Sequence, residues 1–245
     1  MFPSVSVVIP ALNEERTVAH VVRACLADEP LEVIVIDADS TDETAARAAA
    51  AGARVCNWRE ILEEEPCPGK GESLWRGVAA ARGEVVVFID ADLESARPGM
   101  VTALSEPFVD PHVQMVKARY ARSLNGQPTG GGRVTELSAK PLLRMFFPEL
   151  AHIDQPLGGE YAIRRETALG LPFVAGYGVE AGLLIDVAKR YGPHAIAEVD
   201  LGTRAHRNRP LEELAPMADV VARTILSRAG VVGPVAQRPP LLGKI

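Results

Sequence analysis

Val85-Val86-Val87-Phe88-Ile89-Asp90-Ala91-Asp92-Leu93 is an apolar run that stops at two aspartates one residue apart. A continuous run of β-branched and aromatic residues predicts a buried strand in a parallel sheet covered on both faces. Such sheets deliver functional groups at the carboxyl ends of their strands, where crevices form. Asp90 and Asp92 therefore arrive together at the mouth of a site. Hard divalent cations, Mg²⁺ among them, take carboxylate and phosphate oxygens as ligands. The alternative is a strand-end turn whose aspartates only cap the next segment, so the surrounding sequence has to decide.

Upstream, Val5-Ser6-Val7-Val8-Ile9 predicts a strand stopped by Pro10, with Asn13 capping a helix from about Glu14. Val18, Val21, Val22, Cys25 and Leu26 form its apolar face. Glu32 to Asp37 is a second strand, and Ser40-Thr41-Asp42 opens an alanine-rich helix ended by Gly52. Ala53 to Cys56 is a third strand, and Glu72 to Arg82 a helix closed by Gly83. This alternation predicts an α/β fold with a parallel, doubly wound sheet. Downstream the pattern loosens. Val113 to Tyr120 reads as a strand, followed by a glycine-rich loop and a helix from Arg133 that Pro141 should kink or restart. Glu160 to Ile163 and Ala195 to Leu201 read as strands, Val179 to Arg190 and Leu211 to Ala229 as helices.

With 245 residues, 47% hydrophobic and 24% charged, the chain fits one large globular domain. A net charge of −6 argues against a nucleic-acid-binding surface. Cys25, Cys56 and Cys67 are odd in number and form no C-x-x-C pair, so neither a disulfide framework nor a zinc site is suggested. No leader is read ahead of the first strand, and no run approaches the ~20 apolar residues of a spanning helix. A soluble, cytoplasmic protein with no membrane partner is expected.

Five further segments carry chemistry. Pro10-Ala11-Leu12-Asn13-Glu14 and Asp37-Ala38-Asp39-Ser40-Thr41-Asp42 end adjacent strands beside Asp90, where a nucleotide base and ribose can lie. Pro68-Gly69-Lys70-Gly71-Glu72 offers a close-approaching loop and a point charge for phosphate or base; a solvated surface turn is the plainer reading. Gly130-Gly131-Gly132-Arg133-Val134-Thr135-Glu136 runs into a helix start, where backbone N–H groups, Arg133 and the Thr135 hydroxyl can converge on an anion. A flexible linker is its alternative. In Arg204-Ala205-His206-Arg207-Asn208-Arg209-Pro210, His206 is a candidate metal ligand, although the run also fits a solvated loop.

The first loops together with Asp90-Ala91-Asp92 resemble a GT-A-type glycosyltransferase; a nucleotidyltransferase would open with a glycine-rich turn that this chain lacks. Over roughly residues 5 to 229 the chain closely resembles the glucosyl-3-phosphoglycerate synthases of actinobacteria. Seven of that family's motifs are present, at Pro10–Glu14, Gly69–Glu72, Asp90–Asp92, Gly130–Glu136, Gly159–Ala162, Gly176–Glu180 and Arg204–Pro210. The resemblance implies a Rossmann-like, mostly parallel sheet with an acceptor-binding C-terminal half. It implies a single domain over 1–245, with about 1–119 binding the nucleotide sugar, about 120–230 the acceptor, and 231–245 a loose tail. It further implies a retaining transfer of glucose from UDP-glucose to the 2-hydroxyl of 3-phosphoglycerate, with Mg²⁺ or Mn²⁺, by a homodimer.

Residue by residue, the resemblance places Pro10, Ala11, Leu12, Asn13, Glu14, Asp37, Ala38, Lys70, Asp90 and Ala91 on the uridine diphosphate. Tyr177, Gly178, Val179 and Glu180, with Arg204, contact the sugar and diphosphate. Asp92 and His206 hold the metal, and Gly132, Arg133, Val134, Thr135 and Asn208 hold the phosphoglycerate. The Leu157 carbonyl lies near the anomeric centre, so that Glu180, Leu157 and Arg204 serve the chemistry. Two departures bear on this. Asp37-Ala38-Asp39-Ser40 stands where the family has Asp-Ser-Gly-Ser, which removes a hydroxyl, adds an acid and leaves another donor such as GDP-glucose, or another acceptor, open. The chain as given also begins near its first strand, without the family's longer N-terminal segment, which bears on dimer formation. A transferase acting on a polyprenyl phosphate is disfavoured by the lack of a spanning or basic amphipathic segment, and a non-catalytic binding module by an intact acceptor motif.

Overall fold

The computed structural model describes residues 2–123, 132–205 and 211–245. Its strands are β1 (Val5–Ala11), β2 (Glu32–Asp37), β3 (Arg54–Asn57), β4 (Val85–Phe88), β5 (Met115–Ser123), β6 (Tyr161–Arg164), β7 (Phe173–Val174), β8 (Ile196–Ala205) and β9 (Gln237–Arg238). Its α-helices are α1 (Val18–Leu26), α2 (Thr44–Ala50), α3 (Lys70–Ala80), α4 (Met100–Ser105), α5 (Lys140–Phe146), α6 (Arg165–Leu169), α7 (Val179–Tyr191) and α8 (Leu211–Arg228). Seven strands form one sheet in the order β3-β2-β1-β4-β6-β5-β8. The first four are parallel; β6 runs antiparallel to both its neighbours, and β5 and β8 are parallel to each other. The fold is thus α/β and mostly parallel, with one reversal that the strand-helix alternation does not contain.

Both faces of the sheet are covered. Val8, Ile34, Ile36, Val86 and Phe88 pack with α3, α7 and α8 residues in one core, including Leu74, Trp75, Leu183 and Ile225. Their sequence neighbours Val7, Ile9, Val33, Val35, Val85 and Val87 pack with Val18, Val22, Met100 and Leu104 in the other. Alternate residues of one strand facing two dry layers explains why these strands read as unbroken apolar runs. Cys25 belongs to the second core, and burial pushes its thiol up to about 12, as a packing residue requires.

Several boundaries differ from expectation for physical reasons. β1 runs through Pro10 rather than stopping at it. Val8 carbonyl accepts from Ile89 on the β4 side, so Pro10 faces past the end of β4, where no ladder bond is lost. α1 starts at Val18 and α2 at Thr44, each after a longer turn. Pro141 falls within the first turn of α5, where its missing N–H is harmless, and the turn ahead of it, Thr135–Ala139, widens into a π-type turn. The C-terminal segment corrects the expectation of a loose tail. β9 pairs with β7, Trp75 Nε1 donates to the Pro239 carbonyl at 3.0 Å, and Leu241 is fully buried. Arg238 reaches the buried Glu72 at 2.7 Å, which also pairs with the buried Arg76.

Candidate active site

The loops after β1 and β2 are one interlocked unit. Asn13 is not a helix cap. It sits in the left-handed region (φ 57), its N–H donates to Ser40 Oγ at 3.0 Å, and its Oδ1 accepts from the Thr41 N–H at 2.8 Å. Glu14 N–H donates to Thr44 Oγ1 and Glu15 N–H to Asp42 Oδ2. Ala38 N–H continues the pairing onto Ala11 carbonyl. Pro10, Ala11, Leu12, Asn13, Glu14, Asp37 and Ala38 are therefore brought together, with Leu12 more than half exposed at the rim. Asp39, the added acid, also has positive φ (63), which an aspartate tolerates better than most side chains. Its carboxylate accepts from Asn57 Nδ2 at 3.0 Å and pairs with Arg59 at 2.8 Å, and these contacts hold it below the usual carboxylate range. The departure from the family pattern is neutralised locally.

β4 ends at Phe88, so Asp90, Ala91 and Asp92 lie in the turn beyond it, where Leu93 N–H returns to the Asp90 carbonyl. The two aspartates differ sharply. Lys70 Nζ donates to Asp90 Oδ1 at 2.6 Å, and Arg204 Nη2 lies 3.3 Å from Oδ2. Burial by itself would raise the Asp90 pKa, but these two cations hold its carboxyl well below the usual range. Asp92 is a third exposed, accepts no hydrogen bond among the described residues, and has Arg204 no nearer than 4.0 Å. Asp90 is occupied by the protein; Asp92 is open to a ligand.

Lys70 is the first residue of α3 and its ammonium also meets Glu180 Oε1 at 2.7 Å. Burial pulls its pKa down, yet the two carboxylates leave it well above an ordinary lysine. This contact exists because α3 docks backbone to backbone. A Cβ on Gly71 would lie 1.9 Å from the Val174 carbonyl, and one on Gly69 2.6 Å from Gly176 Cα. The glycines flanking Lys70 thus permit approach to the chain itself, bringing Lys70 beside Tyr177, Gly178, Val179 and Glu180 at the start of α7. Tyr177 is exposed, whereas Val179 and Glu180 are buried.

The second half supplies charge from strand interiors. Arg204 of β8 donates to Glu160 Oε2 at 2.8 Å and to the Tyr120 hydroxyl at 3.1 Å. Burial and the nearby Asp90 charge raise the Glu160 pKa against the pull of Arg204, and its Oε1 has no partner among the described residues. Leu157 lies half-buried in the turn before Gly158 and Gly159, and a Cβ on Gly159 would come within 2.2 Å of Asp90 Oδ2. The turn rests directly on that carboxylate. Gly132 (φ 72) opens the helix that carries Arg133, Val134 and the buried Thr135, and its carbonyl accepts from Glu136 N–H. Gly130, Gly131, His206 and Asn208 lie outside the described residues.

Glu160, Lys117 and Tyr120 belong to this cluster, although none was among the expected site residues. Lys117 is fully buried, donates to the Gly158 carbonyl at 2.7 Å and stands 4.5 Å over the Tyr161 ring. The available signal was a lysine inside the apolar strand Met115-Val116-Lys117-Ala118. A divalent cation fits the donor set: Asp92 offers an uncommitted carboxylate, the oxygen chemistry that Mg²⁺ and Mn²⁺ prefer. Among the described residues there is no group of three or more ligating side chains.

Comparison with known proteins identifies the family. The sequence model of "Glycosyl transferase family 2" matches residues 6–168. The glucosyl-3-phosphoglycerate synthase of Mycolicibacterium paratuberculosis is 51% identical over 93% of this chain and 73% of its own length. That of Petrotoga mobilis is 44% identical over 91% and 73%. The crystal structure of the Mycobacterium tuberculosis synthase with Mn²⁺, UDP-glucose and phosphoglyceric acid superimposes with a TM-score of 0.91, at 46% identity, over 99% of this chain and 91% of that one. Another structure of that enzyme holds Mn²⁺, UDP and glucosyl-3-phosphoglycerate. With its GT-A-type sheet and its strand-end carboxylates, the chain belongs to the glucosyl-3-phosphoglycerate synthases of glycosyltransferase family 2.

Proposed function

We propose that this chain transfers glucose from UDP-glucose to the 2-hydroxyl of 3-phosphoglycerate, releasing UDP, with retention at the anomeric carbon. The observation that carries the reading is the convergence on Asp90 of Lys70, Arg204 and the Gly159 turn, with Asp92 left open beside them. The interlocked loops after β1 and β2 receive the nucleoside, and Lys70 and Arg204 lie where diphosphate charge develops. Both cations are already matched by carboxylates. A divalent ion on Asp92 and His206 supplies the surplus positive charge that a departing diphosphate needs.

One oxygen of Glu180 is committed to Lys70, which supports a role in holding sugar hydroxyls over one as general base. The acceptor's phosphate and carboxylate are held by Gly132, Arg133, Val134, Thr135 and Asn208, which fixes its hydroxyl and lowers the entropic part of the barrier. That hydroxyl attacks from the face the UDP leaves, beside the Leu157 carbonyl. The Ala38-Asp39 departure does not move the donor preference, since Asp39 is tied to Arg59. We place the enzyme in the cytoplasm as a homodimer. No helix among the described residues is long and apolar enough to cross a membrane. Leu137, Met145 and Leu211 are exposed apolar side chains on the C-terminal half, and light scattering tests the dimer.

Incubation of the purified chain with UDP-glucose, Mg²⁺ and 3-phosphoglycerate should give UDP and a glucosylated product whose anomeric coupling by NMR matches the donor. UDP release without the glucosylated product, or turnover with GDP-glucose alone, would overturn the reading.

A further inference from the structure

We propose that Lys117 is a positioning residue for the transfer: its ammonium holds the Gly158 carbonyl and so sets the Leu157–Gly159 turn against Asp90. The inference rests on the functional reading above, in which the Leu157 carbonyl serves the anomeric centre.

Lys117 lies in the middle of β5 with no exposure, between Val116 and Ala118, both buried. Taking an ammonium out of water is expensive, and a methionine would fill the same volume without that penalty. Among the described residues no salt bridge compensates it. Its hydrogen bond goes to a backbone carbonyl, Gly158 at 2.7 Å, and the Tyr161 ring lies beneath it. Burial pulls its pKa down to about 8, with Glu180 and Glu160 opposing.

The carbonyl it holds sits in a turn fixed at three other points. Gly158 N–H closes the turn onto the Gln155 carbonyl at 3.0 Å, and Ala118 N–H donates to the Glu160 carbonyl at 3.1 Å. Gly159 packs on the Asp90 carboxylate so closely that no side chain fits between them. Lys117 is thus a charged clamp on the same turn, and the Leu157 carbonyl precedes the clamped residue. A turn free to shift by an ångström misplaces that carbonyl, and errors of this size lower rates by about 10²-fold.

The test compares wild type, Lys117→Met, which keeps length and apolarity without a donor, and Lys117→Gln, which keeps a donor without charge. For Lys117→Met we expect kcat to fall about 10- to 100-fold while both KM values stay within about threefold. Its melting temperature should hold or rise, and the Gly158 amide should exchange at least tenfold faster. Lys117→Gln should recover threefold or more of the lost kcat. An unchanged kcat in folded Lys117→Met would overturn the proposal. So would equal losses in Met and Gln, which would make charge rather than the hydrogen bond the agent. Failure of both variants to fold would overturn it as well, by making Lys117 a requirement of the core. If wild type itself forms no product from UDP-glucose and 3-phosphoglycerate, the functional reading fails, and the exchange of the Gly158 amide still decides the clamp.

Discussion

The two sides of the sheet build the site by different means. On the β3-β2-β1-β4 side, Asn13, Asp37 and Asp90 reach the site on loops or strand ends and Lys70 from the start of α3, and the loops after β1 and β2 brace one another through short polar contacts such as Asn13 to Thr41. On the β6-β5-β8 side, the groups are charges inside or beside strands: Lys117, Glu160 and Arg204, all largely buried. The first side can lose a contact to water at little expense. The second cannot, because a buried charge without its partner has no water to turn to. Breaking the buried ion pair of the second side, Arg204 with Glu160, should therefore disturb folding and chemistry together, and changes at the open positions only the chemistry.

The strongest way to break that contrast is Arg204→Ala, which strips Glu160, Asp90 and Tyr120 of a common partner. Removing one member of a buried ion pair costs about 3–5 kcal/mol. For a chain of this size that is roughly 6–20 °C in melting temperature, with activity lost in parallel. A melt within two degrees of wild type would show that this side is not held by charge.

Asp92→Ala tests the opposite case. Among the described residues the open carboxylate meets only Arg204, and that at 4.0 Å, so melting should be nearly unchanged while kcat falls about 10²–10³-fold, the several kcal/mol of a metal-stabilised leaving group. Chelation of wild type with EDTA should do the same and added Mn²⁺ should reverse it. Full turnover in a metal-free sample would remove Asp92 from the metal.

Arg133→Ala should act on the acceptor alone. Losing a charge-assisted contact costs about 1.5–3 kcal/mol, or roughly one to two decades in kcat/KM for phosphoglycerate. UDP-glucose affinity by calorimetry should stay constant. An equal loss of donor affinity would assign the glycine-led helix start to the diphosphate.

The smallest effect is a pH slope. The Lys117 ammonium titrates near 8 in the folded chain and at 10.5 as an ordinary lysine. Between those values the unfolded chain keeps a proton that the native state has released, so stability should rise with pH, by at most about 1.4 kcal/mol per unit. The buried Cys25 thiol works the other way, since the unfolded thiol ionises first. Subtracting the curve of Lys117→Met removes that term. Parallel curves would show that Lys117 is not buried as a charge.

What could be read from residue order alone follows the same division. Val85 to Asp92, the alternation of strands and helices, and the loops after β1 and β2 were legible because their information is local: period, breakers and a polar residue at a strand end. Asn13 was read as a helix cap, which it is not. Its partners Ser40 and Thr41 are distant in the chain, and only the parallel pairing of β1 with β2 brings them within hydrogen-bond range. The glycines around Lys70 were read as making room for a ligand, when the room is for Val174 and Gly176.

Sequence by itself determined the α/β class, the dry two-sided core and the seven motifs that place the chain in its family, because apolar periodicity and short motifs survive without knowledge of contacts. Only the tertiary structure decided that β6 runs antiparallel, that the C-terminal segment is strapped to α3, that Asp90 is neutralised while Asp92 stays open, and that Lys117 reaches Gly158. Each of these turns on which charges share a small volume of low dielectric, and that proximity is a property of the packed sheet rather than of neighbours along the chain.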